Sequence, residues 1–587
     1  MSAKEKKKSS ALSRILKDIG KGGRRLLFFS IAIIAIAKVC LAVAPGIAGR
    51  ITDGLAASAE SGNFDTALLI KECIFLAVMF LIGYGVDGFV NRNMVKISQS
   101  LIRSLRNRAQ QKLNKTTLSY MDTHPVGDIL SRVTNDMVAM SNSLESTVST
   151  LLGQVVLLIS LIVMMFITNV KLALIYIVVL PLGILLLMLI LRVTNRLFRK
   201  QNNSLGDLNA LVSDTFSNHL LMKAYGCENK KMESFEEKNK VFYDTYVSSR
   251  FLSGFVIPMA TLINNVSYIA LCIIGGIMLI NNNLTIGEFQ AFIFYGNMVG
   301  TPFSSLSSSM NNVQTGLTAA ERVYELLDAP EEEVDPNALA KITDMKGRVD
   351  FTHVQFGYVA DKQLMKDVSF SAHPGQTMAI VGPSGAGKTT LINLLMRFYD
   401  IWDGSIAIDG VKSTDMTKEN LRKNFGMVLQ DSWIFDGTIA ENIAYGRPDA
   451  TREEIIAAAK TVQCDSFIEK LPKGYDTRIS DENSALSAGE KQLLAIARAV
   501  IADPPILILD EATSQVDTKT DVLITQAMEK MMQGRTSFII AHRLYTIKNA
   551  DQIIFMVDGD IKEVGSHDEL IRQGGLYKAM YEKGASE

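Results

Sequence analysis

Apolar residues are spread unevenly along this chain of 587 residues. Long, mainly apolar stretches lie in the first half, whereas the second half carries short apolar runs between charged and glycine-rich segments. A helix of about 20 apolar residues is long enough to cross the hydrocarbon core of a bilayer. The pattern therefore predicts six membrane-spanning helices, at residues 26–51, 67–90, 151–167, 172–191, 255–280 and 289–309.

The connections between these helices differ in charge. Segments 91–140 and 192–250 are rich in Lys and Arg, whereas 52–66, 168–171 and 281–288 are nearly free of them. Basic residues stay on the cytoplasmic side of a membrane. The chain is therefore expected to be a multi-pass protein with both termini in the cytoplasm. A bacterial plasma membrane fits the absence of organelle signals, and an organelle membrane stays open.

The two basic segments are too long to be turns. Their apolar residues recur at helical spacing, so spans two to five are expected to continue as helices into the cytoplasm. Their tips are predicted near 120–132, where Pro125 and Gly127 break the pattern, and near 214–225. Residues 11–19 form a short amphipathic stretch that either lies along the inner membrane surface or is a solvated tail.

Composition excludes several classes of function. The formal net charge is −1, which does not favour nucleic-acid binding. The five cysteines are scattered without a C-x-x-C pair, so disulfides and a cysteine metal site are not expected.

One motif in the second half carries a specific chemistry. Residues 382–390 have a G-x-x-x-x-G-K-T pattern, between a predicted strand at 378–381 and a helical pattern from 391. Glycines let backbone N–H groups approach phosphates, and the helix N-terminus adds a favourable dipole. Lys388 is expected to reach the outer phosphates. The predicted nucleotide-binding residues of this loop are Gly382, Ser384, Gly385, Ala386, Gly387, Lys388, Thr389 and Thr390.

Two acidic residues follow another apolar run. Asp510 ends the predicted strand that begins at 506, and Glu511 comes next. Beside a phosphate loop, Asp510 is placed to hold a magnesium shell and Glu511 to polarise an attacking water. Two acids that simply end a strand at the surface are the alternative.

Three further polar or aromatic residues fit the same site. Gln430 and His542 each follow a short apolar run that predicts a strand, and Tyr358 precedes the phosphate loop, where its ring can stack on a nucleotide base. A lone histidine is more often structural, and His542 is singled out because its strand belongs to the same predicted sheet.

A second phosphate-binding surface is predicted at the Leu-Ser-Ala-Gly-Glu sequence of residues 486–490. Ser487 and Gly489 stand at the start of a helical pattern, where backbone N–H groups bind anions. One nucleotide does not need two such surfaces, so this one is expected to serve the nucleotide of a second chain.

Together these motifs resemble those of the ATP-binding cassette transporters, in particular half-size exporters, over nearly the whole chain. The resemblance implies ATP and Mg²⁺ as ligands, with Thr389, Gln430 and Asp510 at the metal. It also implies two cassettes that close head to tail, each ATP lying between one phosphate loop and the partner's signature. The roles it implies are Glu511 as catalytic base, His542 as phosphate sensor, Lys388 as phosphate ligand, Tyr358 as base-stacking ring, and Ser487, Ala488, Gly489 and Glu490 as trans-acting signature.

The expected fold is an α-helical six-span transmembrane domain of the exporter type fused to an α/β P-loop nucleotide-binding domain. The expected division is a cytoplasmic segment at 1–24, a transmembrane domain at 25–320, a linker at 321–344 and a cassette at 345–587. Segment 119–136 resembles the family's first coupling loop.

The signature departs from the family's usual Leu-Ser-Gly-Gly-Gln. Ala488 replaces a glycine, and Glu490 replaces an amide by a carboxylate. In this family a weakened signature beside an intact catalytic glutamate is typical of one half of a heterodimer. A heterodimer is therefore favoured, and a homodimer that tolerates the variation is the alternative.

The predicted spans indicate the class of cargo. Lys38 lies at membrane depth, where it either snorkels to the surface or pairs with Asp87. The remaining spans are apolar with a few amides and tyrosines, which favours export of amphipathic small molecules, lipids or hydrophobic peptides. An importer of a chelate and a regulatory or channel protein are the alternatives, and Glu511 and His542 argue against the latter.

Overall fold

The computed structural model describes residues 3–61, 66–281, 283–332, 345–359, 361–429, 432–480, 486–510, 518–541 and 544–584. The chain divides into two compact units. The first comprises Met1–Lys115 and His124–Ala329, and the second comprises Thr116–Thr123 and Pro330–Glu587. Segment 119–136, expected to be one coupling loop, is thus shared between the two units.

The first 327 residues are helical almost throughout their described part. Two π-helical turns, Arg132–Asp136 and Thr147–Leu152, lie within this run. The helices are α1 Ala3–Asp18, α2 Gly20–Ser61, α3 Thr66–Leu113, α4 Leu118–Thr123, α5 Val126–Ser131, α6 Met137–Ser146, α7 Gly153–Thr168, α8 Val170–Ser217, α9 His219–Ala224, α10 Glu228–Gly254, α11 Val256–Ile280 and α12 Ile286–Leu327.

The predicted spans fall on these helices in order: α2, α3, α7 with the π turn before it, α8, α11 and α12. By length and composition, Gly20–Ala59, Thr66–Leu113 and Val126–Thr168 are apolar enough to cross a membrane among the described residues. Helices α3 and α8 run for 48 residues each, well beyond a bilayer's thickness. This length confirms that the basic segments continue the spans as helices.

Local sequence explains where several of these helices begin. Thr285 and Glu288 form a reciprocal capping box that starts α12. The Asn169 side chain accepts from the N–H groups of Lys171 and Leu172, which allows α8 to start directly after α7 ends. Pro125 stands between α4 and α5, as the sequence predicted.

Helix α2 packs against α3, α7 and α12 and is central to the first unit. Glycines permit its closest approach: a Cβ on Gly287 of α12 would lie 2.0 Å from the carbonyl oxygen of Gly49. Lys38 of α2 is buried, and its Nζ lies 2.7 Å from the Asp87 carboxylate of α3. The pairing alternative for Lys38 is therefore confirmed.

The second unit is an α/β domain. Its strands are β1 Val349–Phe356, β2 Met365–Ala372, β3 Thr377–Val381, β4 Asp403–Ile408, β5 Val411–Lys412, β6 Phe425–Val428, β7 Gly437–Thr438, β8 Arg478–Ile479, β9 Ile506–Asp510, β10 Thr536–Ile540, β11 Gln552–Val557 and β12 Asp560–Gly565. Its remaining helices are α13 Lys388–Leu395, α14 Lys418–Arg422, α15 Ile439–Ala444, α16 Arg452–Thr461, α17 Asp465–Ile468, α18 Ala488–Ala502, α19 Thr518–Met532, α20 Leu544–Lys548, α21 His567–Gln573 and α22 Leu576–Gly584.

Two sheets organise this unit. The larger has the order β12-β11-β3-β10-β9-β6, in which the neighbours from β11 to β6 are parallel and β12 is antiparallel. The smaller has the order β2-β1-β4-β5 and is antiparallel. Strands β3, β9 and β10 are buried almost throughout, as expected of central strands in a parallel sheet covered on both faces.

Candidate functional site

The phosphate loop lies at the carboxyl end of β3, in the middle of the larger sheet. Gly382 follows the strand at φ 150°, and a Cβ there would lie 2.2 Å from the carbonyl oxygen of Met556. Gly387 has φ 95° and caps α13, which begins at Lys388. Glycine is needed at both positions because other residues cannot take these conformations without strain. The predicted strand–loop–helix context is confirmed.

The Lys388 side chain folds over the loop. Its Nζ donates to the carbonyl oxygens of Gly382 at 2.8 Å and Pro383 at 3.2 Å. Burial lowers the pKa of the Lys388 amine from its usual value, and the charge of Asp510 opposes that shift. The ammonium group is therefore held at the place where polyphosphate oxygens would bind.

A cavity of about 570 Å³ opens over the loop. Its volume is within the usual range for a small-molecule site. Its polar walls come mainly from the loop and the start of α13, where N–H groups favour anions. The lining residues are Tyr358, Leu364, Gly382, Ser384, Gly385, Ala386, Gly387, Lys388, Thr389, Thr390, Asp510 and Ile540.

Sheet register explains why Asp510 reaches this cavity. Residue Ile540 of β10 is paired with Ile380 of β3 on one side and with Asp510 of β9 on the other. Parallel strands direct their carboxyl ends to one edge of the sheet, so Asp510 lies at the same edge as the loop. The prediction that Asp510 lies beside the phosphate loop is confirmed, since both line one cavity.

Three predicted site residues lie outside the described residues, namely Gln430, Glu511 and His542. In the sequence, they closely follow β6, β9 and β10, three parallel neighbours of the larger sheet. Their position at the carboxyl edge of the sheet remains a prediction.

The described part of the cavity contains oxygen groups of the kind that bind Mg²⁺. Among the described residues, no group of three or more His, Cys, Asp or Glu side chains could hold a metal ion. Thr389 and Asp510 supply oxygen ligands to one cavity. Mg²⁺ prefers oxygen and is commonly held by one or two protein groups plus substrate phosphates, so these residues fit that ion.

An aromatic cluster flanks the cavity at Tyr358. The Tyr358 hydroxyl lies 2.9 Å from Thr390 Oγ1. Its ring packs edge-on against Phe356, with centroids 5.0 Å apart, and against Tyr399 at the same distance. One face of an exposed ring is thus held beside the phosphate loop, as base stacking would require.

Tyr399 extends this cluster to α4. Its hydroxyl donates a hydrogen bond to the Asp122 carboxylate, within the second compact unit. Burial and this hydrogen bond raise the pKa of Tyr399, so it stays a neutral donor. Sequence analysis missed both residues. No local signal connects them, because they are 277 positions apart.

The signature starts α18. Ser487 is the N-cap: its Oγ accepts from the N–H of Glu490 at 3.3 Å, and its own N–H donates to the Glu490 carboxylate at 2.8 Å. The Glu490 carboxylate is thus used in a capping box. The S-x-x-E spacing carried this signal in the sequence. The sequence analysis assigned Glu490 to the trans-acting signature, as a departure from its usual sequence, and missed the capping role.

None of residues 487–490 lines the described cavity beside the phosphate loop. Ser487 and Ala488 are exposed at the N-terminus of the 15-residue helix α18. The N-terminus of α18 is therefore exposed at a place outside this cavity.

Comparison with known proteins identifies both halves of the chain. Residues 27–303 match the ABC transporter transmembrane region, and residues 365–514 match the ABC transporter family. A fatty acid ABC transporter ATP-binding/permease protein of Mycobacterium tuberculosis is 44% identical over 484 residues, covering 82% of this chain and 76% of that protein.

Two further similarities extend over most of the chain. An ATP-dependent lipid A-core flippase of Desulfotalea psychrophila is 34% identical over 516 residues, covering 88% of this chain and 90% of that protein. The structure of a bacterial Atm1-family ABC exporter with ATP bound superposes with a TM-score of 0.76 at 31% identity, covering 96% of this chain and 99% of the other.

Proposed function

Because the chain belongs to the ABC transporter family, we propose that it exports lipids or similar amphipathic molecules as one half of a dimeric transporter. ATP hydrolysis by the second unit is coupled to transport through the helical first unit. One observation carries the proposal: the same chain contains apolar helices long enough to cross a membrane and a cavity over a phosphate loop.

The cargo class is proposed to be molecules that carry long acyl chains on a polar or charged head. The relatives are named as a fatty acid transporter and a lipid A-core flippase, and both of these molecules contain long acyl chains. The apolar spans support the same class, since a mainly apolar surface suits an acyl chain.

The nucleotide site is proposed to work through the residues at the carboxyl edge of the larger sheet. Lys388 and the loop N–H groups bind the phosphates, and Tyr358 stacks on the base. Glu511 takes a proton from the attacking water, and His542 contacts the terminal phosphate. Mg²⁺ held by Thr389, Gln430 and Asp510 would neutralise phosphate charge.

The active assembly is proposed to contain two chains. Each ATP lies between one chain's phosphate loop and the other chain's Ser487–Gly489 region or its equivalent. Exposure of Ser487 and Ala488 at the N-terminus of α18 supports a trans role. A heterodimer is favoured because Glu490 brings a negative charge towards the partner's nucleotide.

The membrane is proposed to be the plasma membrane of a bacterium, with both termini and the cassette in the cytoplasm. The basic segments 91–140 and 192–250, which contain the end of α3 and the start of α10, support the cytoplasmic side, because basic residues stay there. The bacterial relatives support the plasma membrane.

The first test is ATP hydrolysis by the complex purified from its host membrane through a tag on this chain. We expect Mg²⁺-dependent hydrolysis that Glu511→Gln abolishes, together with a second chain in equal amount. ATP-dependent uptake of a fluorescent fatty acid into inside-out vesicles then tests export. Hydrolysis without uptake of fatty acid or lipid probes would refute the proposed cargo class.

A further inference from the structure

A second cavity lies in the nucleotide-binding unit, away from the phosphate loop. It has a volume of about 260 Å³, and residues of α19 and α20 line it together with Thr377 of β3 and Ile539 of β10. Ile540, the next residue of β10, lines the nucleotide cavity. Adjacent residues of a strand point to opposite faces of a sheet, so the two cavities lie on different faces. We call the second one the α19–α20 cavity.

The inner wall of the α19–α20 cavity is apolar. Met528 and Ile539 are buried there, and Met532 is half-buried. The methionine side chain is flexible, and its sulfur makes favourable contacts with aromatic rings. The cavity has the volume of about nine water molecules, just below the usual range of sites for drug-sized ligands. These walls therefore suit a small molecule with one or two rings.

The outer wall is polar and carries a negative charge. The exposed Tyr545 of α20 donates its hydroxyl hydrogen to Oε1 of the exposed Glu529 of α19, at 3.2 Å. The other Glu529 oxygen has no protein partner within the described part of the chain. No Lys, Arg or His is among the lining residues that the structure describes. A carboxylate without a neighbouring cation attracts positive charge and repels anions, so the cavity favours an ammonium group.

The two helices of this cavity follow two segments with proposed roles in hydrolysis. Helix α19 begins at Thr518, shortly after Glu511, and α20 begins at Leu544, directly beyond His542 and Arg543. A ligand that contacts both helices fixes the distance between them. It therefore restricts the movement of the residues that precede each helix.

We propose that the α19–α20 cavity binds a small aromatic amine in its cationic form, and that the bound amine slows ATP hydrolysis. The ring contacts Met528, Met532 and Ile539, while the ammonium group contacts Glu529. The ligand binds the described separation of α19 and α20, so it favours this arrangement over those in which the helices move. The site is independent of the cargo, and only the effect on hydrolysis rests on the proposed roles of Glu511 and His542.

Three probes that share an indole ring test the ligand class, namely tryptamine, the neutral alcohol tryptophol and the anion indole-3-acetate. Their binding to the full transporter complex in nanodiscs is measured by saturation-transfer NMR titration. We expect a Kd on the order of 1 mM for tryptamine, because a ligand of this size gains little free energy per atom. Tryptophol should bind about threefold more weakly, as expected for loss of a partly exposed ion pair, and indole-3-acetate more weakly still.

Variants of the lining residues locate the site. Glu529→Gln should weaken tryptamine binding about threefold and leave tryptophol binding unchanged, since only the charge is removed. The matched control is Glu453→Gln at an exposed position of α16, which should change neither. Met532→Trp should fill the cavity and abolish binding of both probes, whereas Met532→Leu should retain it. Thermal unfolding of each variant confirms that the protein is folded.

Hydrolysis is measured on the same preparations. At a tryptamine concentration of three times its Kd, about three quarters of the sites are filled, so the ATPase rate should fall about fourfold. Glu529→Gln should hydrolyse ATP normally without tryptamine. At the same tryptamine concentration its rate should fall only about twofold, because about half of its sites are filled.

The outcomes separate the inference from the proposed function. Tryptamine binding that neither Glu529→Gln nor Met532→Trp changes lies elsewhere, for example between the membrane spans, and overturns the inference. An ATPase rate that tryptamine raises or leaves unchanged overturns the regulatory effect. Glu511→Gln should still bind tryptamine, since that residue does not line the described cavity. A complex that binds tryptamine through Glu529 but hydrolyses no ATP overturns the proposed function and the regulatory effect, and retains the binding site.

Discussion

At the scale of single residues, the nucleotide site combines local motifs with distant partners. The loop residues 382–390 are adjacent in sequence, and their glycines meet backbone requirements that the motif predicts. Tyr399 and Asp122 are instead far apart in sequence. The Tyr399 ring packs against Tyr358, and its hydroxyl bonds to Asp122 of α4. A hydrogen bond to a charged group contributes about 1.5–3 kcal/mol.

Tyr399→Phe tests this connection. The ring contacts remain, but the bond to Asp122 is lost, so α4 should open more often. We expect amide hydrogen exchange across Leu118–Thr123 to quicken by about tenfold. Tyr358→Phe is the matched control, because it removes the hydroxyl near Thr390 and should leave α4 unchanged. Equal exchange in both variants would show that the bond does not hold α4.

At the scale of secondary structure elements, close packing and one buried ion pair join α2 to its neighbours. Gly49 and Gly287 bring α2 and α12 into backbone contact. Lys38 pairs with Asp87 across α2 and α3, with side chains 7% and 32% exposed. A buried charge that loses its partner is costly, whereas replacing both partners by apolar residues is often tolerated.

Lys38→Met should therefore destabilise the transporter by about 2 kcal/mol, a value reduced from that of a fully buried pair because Asp87 is partly exposed. Adding Asp87→Leu should restore most of the loss, since no unpaired charge remains. Thermal unfolding in detergent is measured for the unmodified protein, for Lys38→Met, for Asp87→Leu and for the double variant, which together form a double-mutant cycle. If the double variant is as unstable as the sum of the two single variants, the pair does not act as a unit.

At the scale of the whole molecule, the signature is the surface that we propose to face a second chain. The Glu490 carboxylate caps its own helix, which gives the acidic residue a structural use. The same charge would oppose the phosphates of a nucleotide bound by a second copy of this chain. This conflict is the physical basis of the heterodimer proposal.

Glu490→Gln should raise ATP hydrolysis by the chain purified alone, because Gln can keep the capping box and removes the repulsion. Relief of about 1.4 kcal/mol corresponds to a tenfold increase in rate. Glu490→Asp retains the charge and should stay at the original rate. Equal rates for the Gln and Asp variants would refute the view that this charge limits a homodimer.

The sequence determined those features that depend on neighbouring residues. Hydrophobic length predicted six helices, namely α2, α3, α7, α8, α11 and α12. Pro125 predicted the break before α5, and glycine spacing predicted the loop at Lys388. Each rests on a local physical rule, such as the length of an apolar helix, a missing N–H, or a backbone angle open to glycine.

Tertiary structure decided which distant groups meet. It selected Asp87 as the partner of Lys38, brought Tyr399 to Asp122, and placed Arg14 on Asp328. No sequence period encodes these contacts, because they depend on how helices and sheets pack after they have formed. The S-x-x-E spacing at Ser487 and Glu490 is compatible with a capping box. The structure shows that the box forms, because the Ser487 N–H donates to the Glu490 carboxylate.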